Sequence, residues 1–289
     1  MGGWYYEVNA IADIIDDISV SASIDIARNY IPNINMIIDE LEYGCGYYII
    51  KNVPVDSIIP EPPSDGVRPY NKKYVSELSL AGITGALGYN VFSYAQEKKG
   101  AFFHDITPVC GKESTKSSNG TVDFSFHTDA AYLKRDIRPA TLSLLCLNND
   151  SKTATQIVSL NDVLKFLPES TINILKTNDF VISSPDSFDI HDEVRTSVLY
   201  EYNGLLEIQL SIEVTRALSC DAELALKHLL EAANATALNL MWNKGDFLIF
   251  NNRRSLHGRR TINGKRWLQR CYGSKSIRQY EIINLAEVW

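Results

Sequence analysis

The chain has 289 residues, 45% of them hydrophobic and 22% charged, and a net charge of −7 at pH 7. This composition excludes a disordered chain and suits one large domain spanning residues 1–289. No basic surplus marks a nucleic-acid or membrane surface, and no apolar run is long enough to span a bilayer.

The opening MGGWYYEVNA lacks the basic and apolar regions of a secretion signal. Tyr6 stands where a myristoylation signal needs Ser or Thr. Apolar positions from Ile24 to Leu41 recur at helical spacing and then meet Gly44 and Gly46, which predicts a helix over 22–43. A short strand follows at Tyr47–Val53, closed by Pro54. Four prolines make 59–70 a loop, and a helix is expected over 71–87.

The middle of the chain is β-rich, with strands expected at Phe124–Phe126, Thr141–Leu147 and Thr155–Val158. Short helices are expected at Leu160–Leu167 and Glu169–Lys176. Residues 183–194 form a polar, acidic loop suited to a lid. A hairpin over 196–211, a helix over 221–234 and strands at Asp246–Asn251 and Trp267–Tyr272 complete the chain. Many short strands with flanking helices indicate a mainly β fold with α insertions, a β-sandwich or jelly roll. The five cysteines are odd in number and form no CxxC pair, so they read as core filler in a reduced, cytoplasmic protein.

Only five histidines are present, and two of them enter a metal-ligand pattern. In His127-Thr128-Asp129, residues i and i+2 of an extended segment point to one side, so imidazole and carboxylate can reach one ion. His257 follows the apolar strand GDFLIFNN and can supply a third ligand from a neighbouring strand. Two histidines and one carboxylate leave three positions open on an octahedral iron, enough for a chelating 2-oxo acid and O₂. The same three groups can also hold zinc with a water.

The distal carboxylate of 2-oxoglutarate calls for a buried arginine. Arg270 fits, because it shares a strand face with Leu268 and Tyr272 and so points inward. An internal salt bridge is the alternative use for it. Arg266 is a second, weaker contact and Thr155 offers a hydroxyl. Of Arg253, Arg254, Arg259 and Arg260 around His257, three are expected in a solvated turn.

Five stretches resemble the clavaminate synthase-like branch of the TauD-type Fe(II)/2-oxoglutarate-dependent dioxygenases, which includes asparagine oxygenases and arginine β-hydroxylases of peptide-antibiotic pathways. They are LEYGCGYYIIKNVPVD, YAQEKKGAFFHDITPV, FSFHTDAAYLKRDIRPATLSLLCL, TATQIVSLNDVL and GDFLIFNNRRSLHGRRTINGKRWLQRCY. The resemblance covers about residues 36–273. It implies a distorted double-stranded β-helix with His127, Asp129 and His257 as iron ligands. It also implies Arg270 and Thr155 on 2-oxoglutarate, with Arg266 less certain. Asp129 stands where many relatives have Glu. By keeping a carboxylate on the metal it argues against halogenation.

The resemblance further implies Fe(II), 2-oxoglutarate and O₂ as cofactor and cosubstrates. The implied reaction is hydroxylation of an unactivated C–H in a small polar substrate, a free L-amino acid of the asparagine, arginine or lysine type. Gln96 and Glu97 are candidates for the substrate's amino end, and Glu207 for its side chain. Asp186, Asp189 and Asp192 of the lid are further acids in reach of a cationic side chain. A carrier-bound amino acid, another small acid, desaturation or cyclisation, and a non-enzymatic cupin-like binder are the rivals. No nucleic-acid or membrane partner is expected, and the oligomeric state is open.

Overall fold

The computed structural model describes residues 2–288. Met1 and Trp289 lie outside the described residues, and with Met1 the first residue of the stretch read for a targeting signal. The helices are α1 (Gly2–Ala10), α2 (Asp17–Tyr30), α3 (Ile34–Glu42), α4 (Val75–Ala86), α5 (Leu160–Phe166), α6 (Glu169–Leu175), α7 (Cys220–Thr236) and α8 (Leu285–Val288). The first strands are β1 (Tyr47–Ile50), β2 (Asn90–Tyr94), β3 (His104–Ile106), β4 (Phe124–His127), β5 (Thr141–Asn148), β6 (Thr155–Ser159), β7 (Phe180–Ser183) and β8 (Glu193–Thr196). They are followed by β9 (Leu199–Tyr202), β10 (Leu205–Ile208), β11 (Thr215–Ala217), β12 (Leu238–Leu240), β13 (Phe247–Asn251), β14 (Ser255–Arg259), β15 (Trp267–Ser274) and β16 (Ile282–Ile283).

The helix expected over 22–43 is two helices. Pro32 has no N–H to donate and biases Ile31 away from helical geometry, and Asn33 takes a left-handed φ of 57°. α2 therefore stops at Tyr30, and α3 restarts at Ile34. Its own stop matches expectation, with Gly44 and Gly46 N–H groups donating to carbonyls of the last turn.

Two sheets make the body. The larger runs β1–β13–β5–β15–β2–β16, with β3 also paired to β15, and the smaller runs β12–β6–β14–β4. Strand alternation assigns each side chain to a layer. Along β15, Trp267 and Cys271 turn outward into the core under α1, α2 and α4. Leu268 and Tyr272 turn inward, between the sheets, beside Phe92, Leu144, Leu248 and Phe250. The outer face of the smaller sheet is covered by α5, α6 and α7 through Val158, Leu160, Leu229 and Leu256. Strands such as TLSLLCLN and FLIF are thus buried on both faces and read as continuous apolar runs. This arrangement is the double-stranded β-helix that the family resemblance implies. Among the described residues no helix is long and apolar enough to cross a membrane.

Candidate active site

The site lies where β4 and β14 run side by side, with His127 directly opposite His257. Their rings stand 4.0 Å apart, centre to centre. β14 must come close here, since a Cβ on Gly258 would lie 2.8 Å from the Phe124 carbonyl. Asp129 sits in the turn just beyond β4, before Ala130, whose φ is 54°. A left-handed alanine costs about 1–2 kcal/mol, and Asn252 fixes the turn. Its side chain accepts from the Asp129 N–H at 2.8 Å and donates to the Asp129 carbonyl at 3.0 Å.

The Nε2 atoms of His127 and His257 lie 3.3 and 3.5 Å from Asp129 Oδ1, and one ligand atom from each residue falls within 4.8 Å of the others. His127 Nδ1 donates to the Ser125 carbonyl at 2.8 Å, which turns Nε2 toward the Asp129 carboxylate. Burial, and then the neighbouring His127, push the His257 pKa down to about 3, so its ring is neutral. Three buried ligand atoms converge on one point where a cation can sit. Two imidazoles and one carboxylate are the donor set that suits iron(II), so the residues fit the implied metal.

Two arginines, Arg266 just before β15 and Arg270 within it, sit in opposite electrostatic surroundings. Arg266 is 2% exposed and donates to Thr155 Oγ1 at 2.8 Å, and its Nε has no partner. Burial, then Arg259, lower its pKa to about 9, and among the described residues no carboxylate is paired with it. A buried cation without a counter-charge calls for an anion. A narrow cavity lined by Ile106, Leu144, Thr155 and Leu268, with Arg259 and Arg270 also on its wall, joins Arg266 to the two histidines. Thr155 Oγ1 also accepts from Trp242 at 2.7 Å, so its own proton remains to be donated. These residues fit the distal carboxylate of a bound 2-oxo acid.

Arg270 is already paired. It donates to Asp129 Oδ2, to Glu97 at 2.7 Å and to His104 Nδ1 at 2.6 Å. Burial opposes its charge, but Asp129, Tyr272 and Glu97 outweigh burial and raise its pKa. The sequence expectation of Arg270 as the main anchor and Arg266 as the lesser one therefore does not match the charge pattern. The internal salt bridge weighed as the alternative is formed by Arg270.

Arg270, Glu97 and Tyr272 line a larger cavity of about 400 Å³ that opens beside Asp129. Glu97 accepts from Tyr272 at 2.8 Å; burial raises its pKa, and Arg270 opposes the shift. The cavity's far walls are the 114–118 loop, Ser211, Glu213 and the lid residues Pro185–Phe188.

Other expected contacts lie elsewhere. Gln96 is committed to Asn284 at 2.6 Å and to the Leu285 N–H at 2.9 Å, away from the cavity. Glu207 is bound by both Arg135 (2.8 and 2.6 Å) and Tyr200 (2.7 Å) in a separate buried cluster. Of the lid acids, Asp186 lines the cavity, whereas Asp192 caps Glu193 through its N–H at 2.8 Å. Arg254 and Arg259 are buried rather than solvated, Arg253 is half-buried, and Arg260 alone is exposed. Arg259 donates to the carbonyls of Ser117, Gly120 and Val122 and so pins the loop that walls the cavity.

Glu213 and the 114–118 loop carry no sequence signal of a site. Glu213 lies in a short 3₁₀ turn, and its role depends on Lys116 (2.9 Å) and Ser125 (2.6 Å), both about 90 residues away in sequence.

The model of the family "Taurine catabolism dioxygenase TauD, TfdA family" matches residues 78–272. The chain is 26% identical over 252 residues to an L-asparagine oxygenase of Streptomyces coelicolor, covering 84% of this chain and 75% of that protein. It is 25% identical over 255 residues to clavaminate synthase 2 of Streptomyces clavuligerus, covering 78% and 73%. Among solved structures, asparagine oxygenase in complex with Fe(II), 2S,3S-3-hydroxyasparagine and succinate superposes with a TM-score of 0.84 at 24% identity, covering 95% of this chain and 92% of that one. The non-heme iron oxygenase OrfP, in complex with Fe, succinate and (3S)-hydroxy-L-Arg, gives 0.80 at 19% identity, covering 94% and 90%. The chain belongs to the TauD/TfdA dioxygenase family and is an oxygenase that depends on Fe(II), 2-oxoglutarate and O₂.

Proposed function

We propose that the chain hydroxylates a free L-α-amino acid, with His127, Asp129 and His257 holding the iron. The observation that carries this reading is the buried Arg270–Glu97 pair, 2.7 Å apart on the cavity wall next to Asp129. A cation beside an anion complements the carboxylate and ammonium of an amino acid zwitterion. Arg266 and Thr155 take the distal carboxylate of 2-oxoglutarate in this reading, and Arg270 is left for the substrate. The anchoring roles of the two arginines are thus exchanged relative to the sequence expectation.

Charge balance supports the same reading. Glu97 and Asp129 offset Arg266 and Arg270, and the dianion of 2-oxoglutarate offsets Fe(II). A zwitterion keeps the buried region neutral. Of the two further acids on the wall, Glu213 is already paired with Lys116 and Asp186 lies exposed on the lid, which favours a substrate with a neutral polar side chain of the asparagine type over a cationic one. The L-asparagine oxygenase relative acts on such a substrate.

When bound, iron with 2-oxoglutarate and O₂ supplies the oxidising power that no side chain has. The chain's residues orient and exclude. Arg270 and Tyr272 hold Asp129 Oδ2, which leaves Oδ1 facing the two imidazoles. Arg270 and Glu97 fix the substrate's α-carbon end, so the side chain points along the cavity. The lid closes over it from Pro185 to Phe188. It is tied to the site where Asp189 donates to the Gln96 carbonyl at 2.7 Å. A reduced, cytoplasmic setting is part of this reading, supported by five free cysteines.

The test is a panel of the twenty L-amino acids, each given with Fe(II) and 2-oxoglutarate, reading succinate release and product mass. A gain of one oxygen on a neutral polar amino acid is expected. If no member raises succinate above the substrate-free level, or none shifts the melting of protein loaded with an inert metal, the amino-acid reading is wrong. Preference for arginine or lysine would overturn the neutral side-chain assignment alone.

A further inference from the structure

His104 is buried directly opposite Arg270, the two being cross-strand partners on β3 and β15. One ring nitrogen, Nε2, lies 2.9 Å from the Ala101 carbonyl, and the other, Nδ1, lies 2.6 Å from Arg270 Nη2. The chemistry of these partners fixes the tautomer. A carbonyl can only accept, so Nε2 carries the hydrogen. A guanidinium can only donate, so Nδ1 is bare. Burial, then Arg270, hold the His104 pKa well below its usual value, in keeping with a neutral ring. The edge of the ring also packs against Tyr272, with centres 5.3 Å apart.

We propose that His104 is a positioning residue for substrate binding: its neutral Nδ1 holds the guanidinium of Arg270 in place without neutralising it. This inference rests on the reading in which Arg270 receives the substrate carboxylate.

The argument is one of charge and direction. Arg270 already faces two carboxylates, Asp129 and Glu97. A third acid at position 104 would complete a negative shell and repel an arriving carboxylate. An apolar residue would leave an Nη2 hydrogen buried and unpaired, free to turn the guanidinium. A neutral acceptor avoids both. The Ala101 carbonyl sets the ring orientation, and the strand register sets its position. The Asp105 side chain on the opposite face, bonded to Trp267 at 2.8 Å and Gln269 at 3.0 Å, locks that register.

Two substitutions separate this role from simple core packing. Asn at 104 places its amide oxygen near the Nδ1 position and keeps the acceptor. Gln places its amide group near Nε2, keeping the Ala101 contact and losing the acceptor. In ¹⁵N spectra of full-length protein loaded with Zn(II) and 2-oxoglutarate, wild-type His104 is expected as the neutral Nε2–H tautomer. The Arg270 Nη hydrogens are expected in slow rotation in wild type and His104→Asn, and in fast rotation in His104→Gln. With L-asparagine as probe, His104→Gln is expected to raise KM by about tenfold with kcat and the 2-oxoglutarate KM held, and His104→Asn to stay within about twofold of wild type. An Nδ1–H tautomer, or Arg270 signals unchanged in His104→Gln, would overturn the proposal. If wild-type protein binds no amino acid of the panel, the proposed substrate falls, while the tautomer and Arg270 spectra still decide whether His104 holds Arg270.

Discussion

Thr155 Oγ1 accepts hydrogen bonds from Arg266 Nη2 at 2.8 Å and from Trp242 Nε1 at 2.7 Å, so a hydroxyl with two donors on it must offer its own proton elsewhere. That proton and Arg266, which has no carboxylate partner among the described residues, face one narrow cavity behind the two histidines. Thr155→Val is expected to raise the 2-oxoglutarate KM by about tenfold, and Thr155→Ser to retain wild-type values. Steady-state succinate release at fixed amino acid measures this. Equal effects of Val and Ser would mean that the methyl, not the hydroxyl, matters.

Arg266 and Arg270 are expected to separate two affinities. Arg266→Met should raise the 2-oxoglutarate KM by about a hundredfold with little change in amino acid KM, and Arg270→Met should do the reverse. Stability should diverge too. Removing an uncompensated buried cation leaves the unliganded protein as stable or more so. Removing Arg270 strands Asp129 and Glu97 and costs about 3–5 kcal/mol. Denaturant melts of the metal-free variants check the second half.

Metal binding should relieve the crowding of lone pairs at His127, Asp129 and His257. Mn(II) or Zn(II) is therefore expected to raise the melting temperature of wild-type protein. Asp129→Ala should abolish that rise together with 2-oxoglutarate turnover. A metal-dependent rise that survives in Asp129→Ala would place the ion elsewhere.

Glu207 is a structural acid. Burial opposes its charge, but its bonds to Arg135 and Tyr200 outweigh burial and hold its pKa below the usual value for Glu. A carboxylate with a depressed folded-state pKa stabilises the fold above its unfolded pKa, and that contribution is lost as pH falls through the folded pKa. Glu207→Gln is thus expected to cost about 1–3 kcal/mol at neutral pH and to flatten the loss of stability below about pH 4.5. Amino acid KM should not move. Urea midpoints across an acid pH series, beside KM at neutral pH, test both parts.

Glu213 is expected to act on the substrate side chain. Replacing it with Gln frees Lys116, which leaves a positive charge at the far wall. L-Aspartate should gain on L-asparagine by about tenfold in relative kcat/KM. Lys116→Gln should shift the preference the other way, and identical panels for both variants would remove the pair from specificity.

Much of the site was legible because its key residues obey local periodicity. His127 and Asp129 are two apart in an extended segment, and Leu268, Arg270 and Tyr272 alternate on one strand. Spacing alone therefore sent them inward. The strands with continuous apolar runs were legible for the same reason. The 22–43 helix was misjudged because the apolar period continues through Pro32, although the backbone cannot.

The sequence by itself determined the order of candidate ligands, the inward strand face carrying Arg270, and a mainly β fold, since all three follow from the period of a strand and the types of side chain on it. Only the tertiary structure decided which arginine is free. Arg270 meets Glu97 and Asp129, and Arg266 meets only a hydroxyl, because register across β3, β4, β6 and β15 brings together residues more than 100 positions apart. It also withdrew Glu207 to a separate cluster and brought Glu213 to the cavity, since a carboxylate's role depends on the cation beside it, and local spacing does not encode that neighbour.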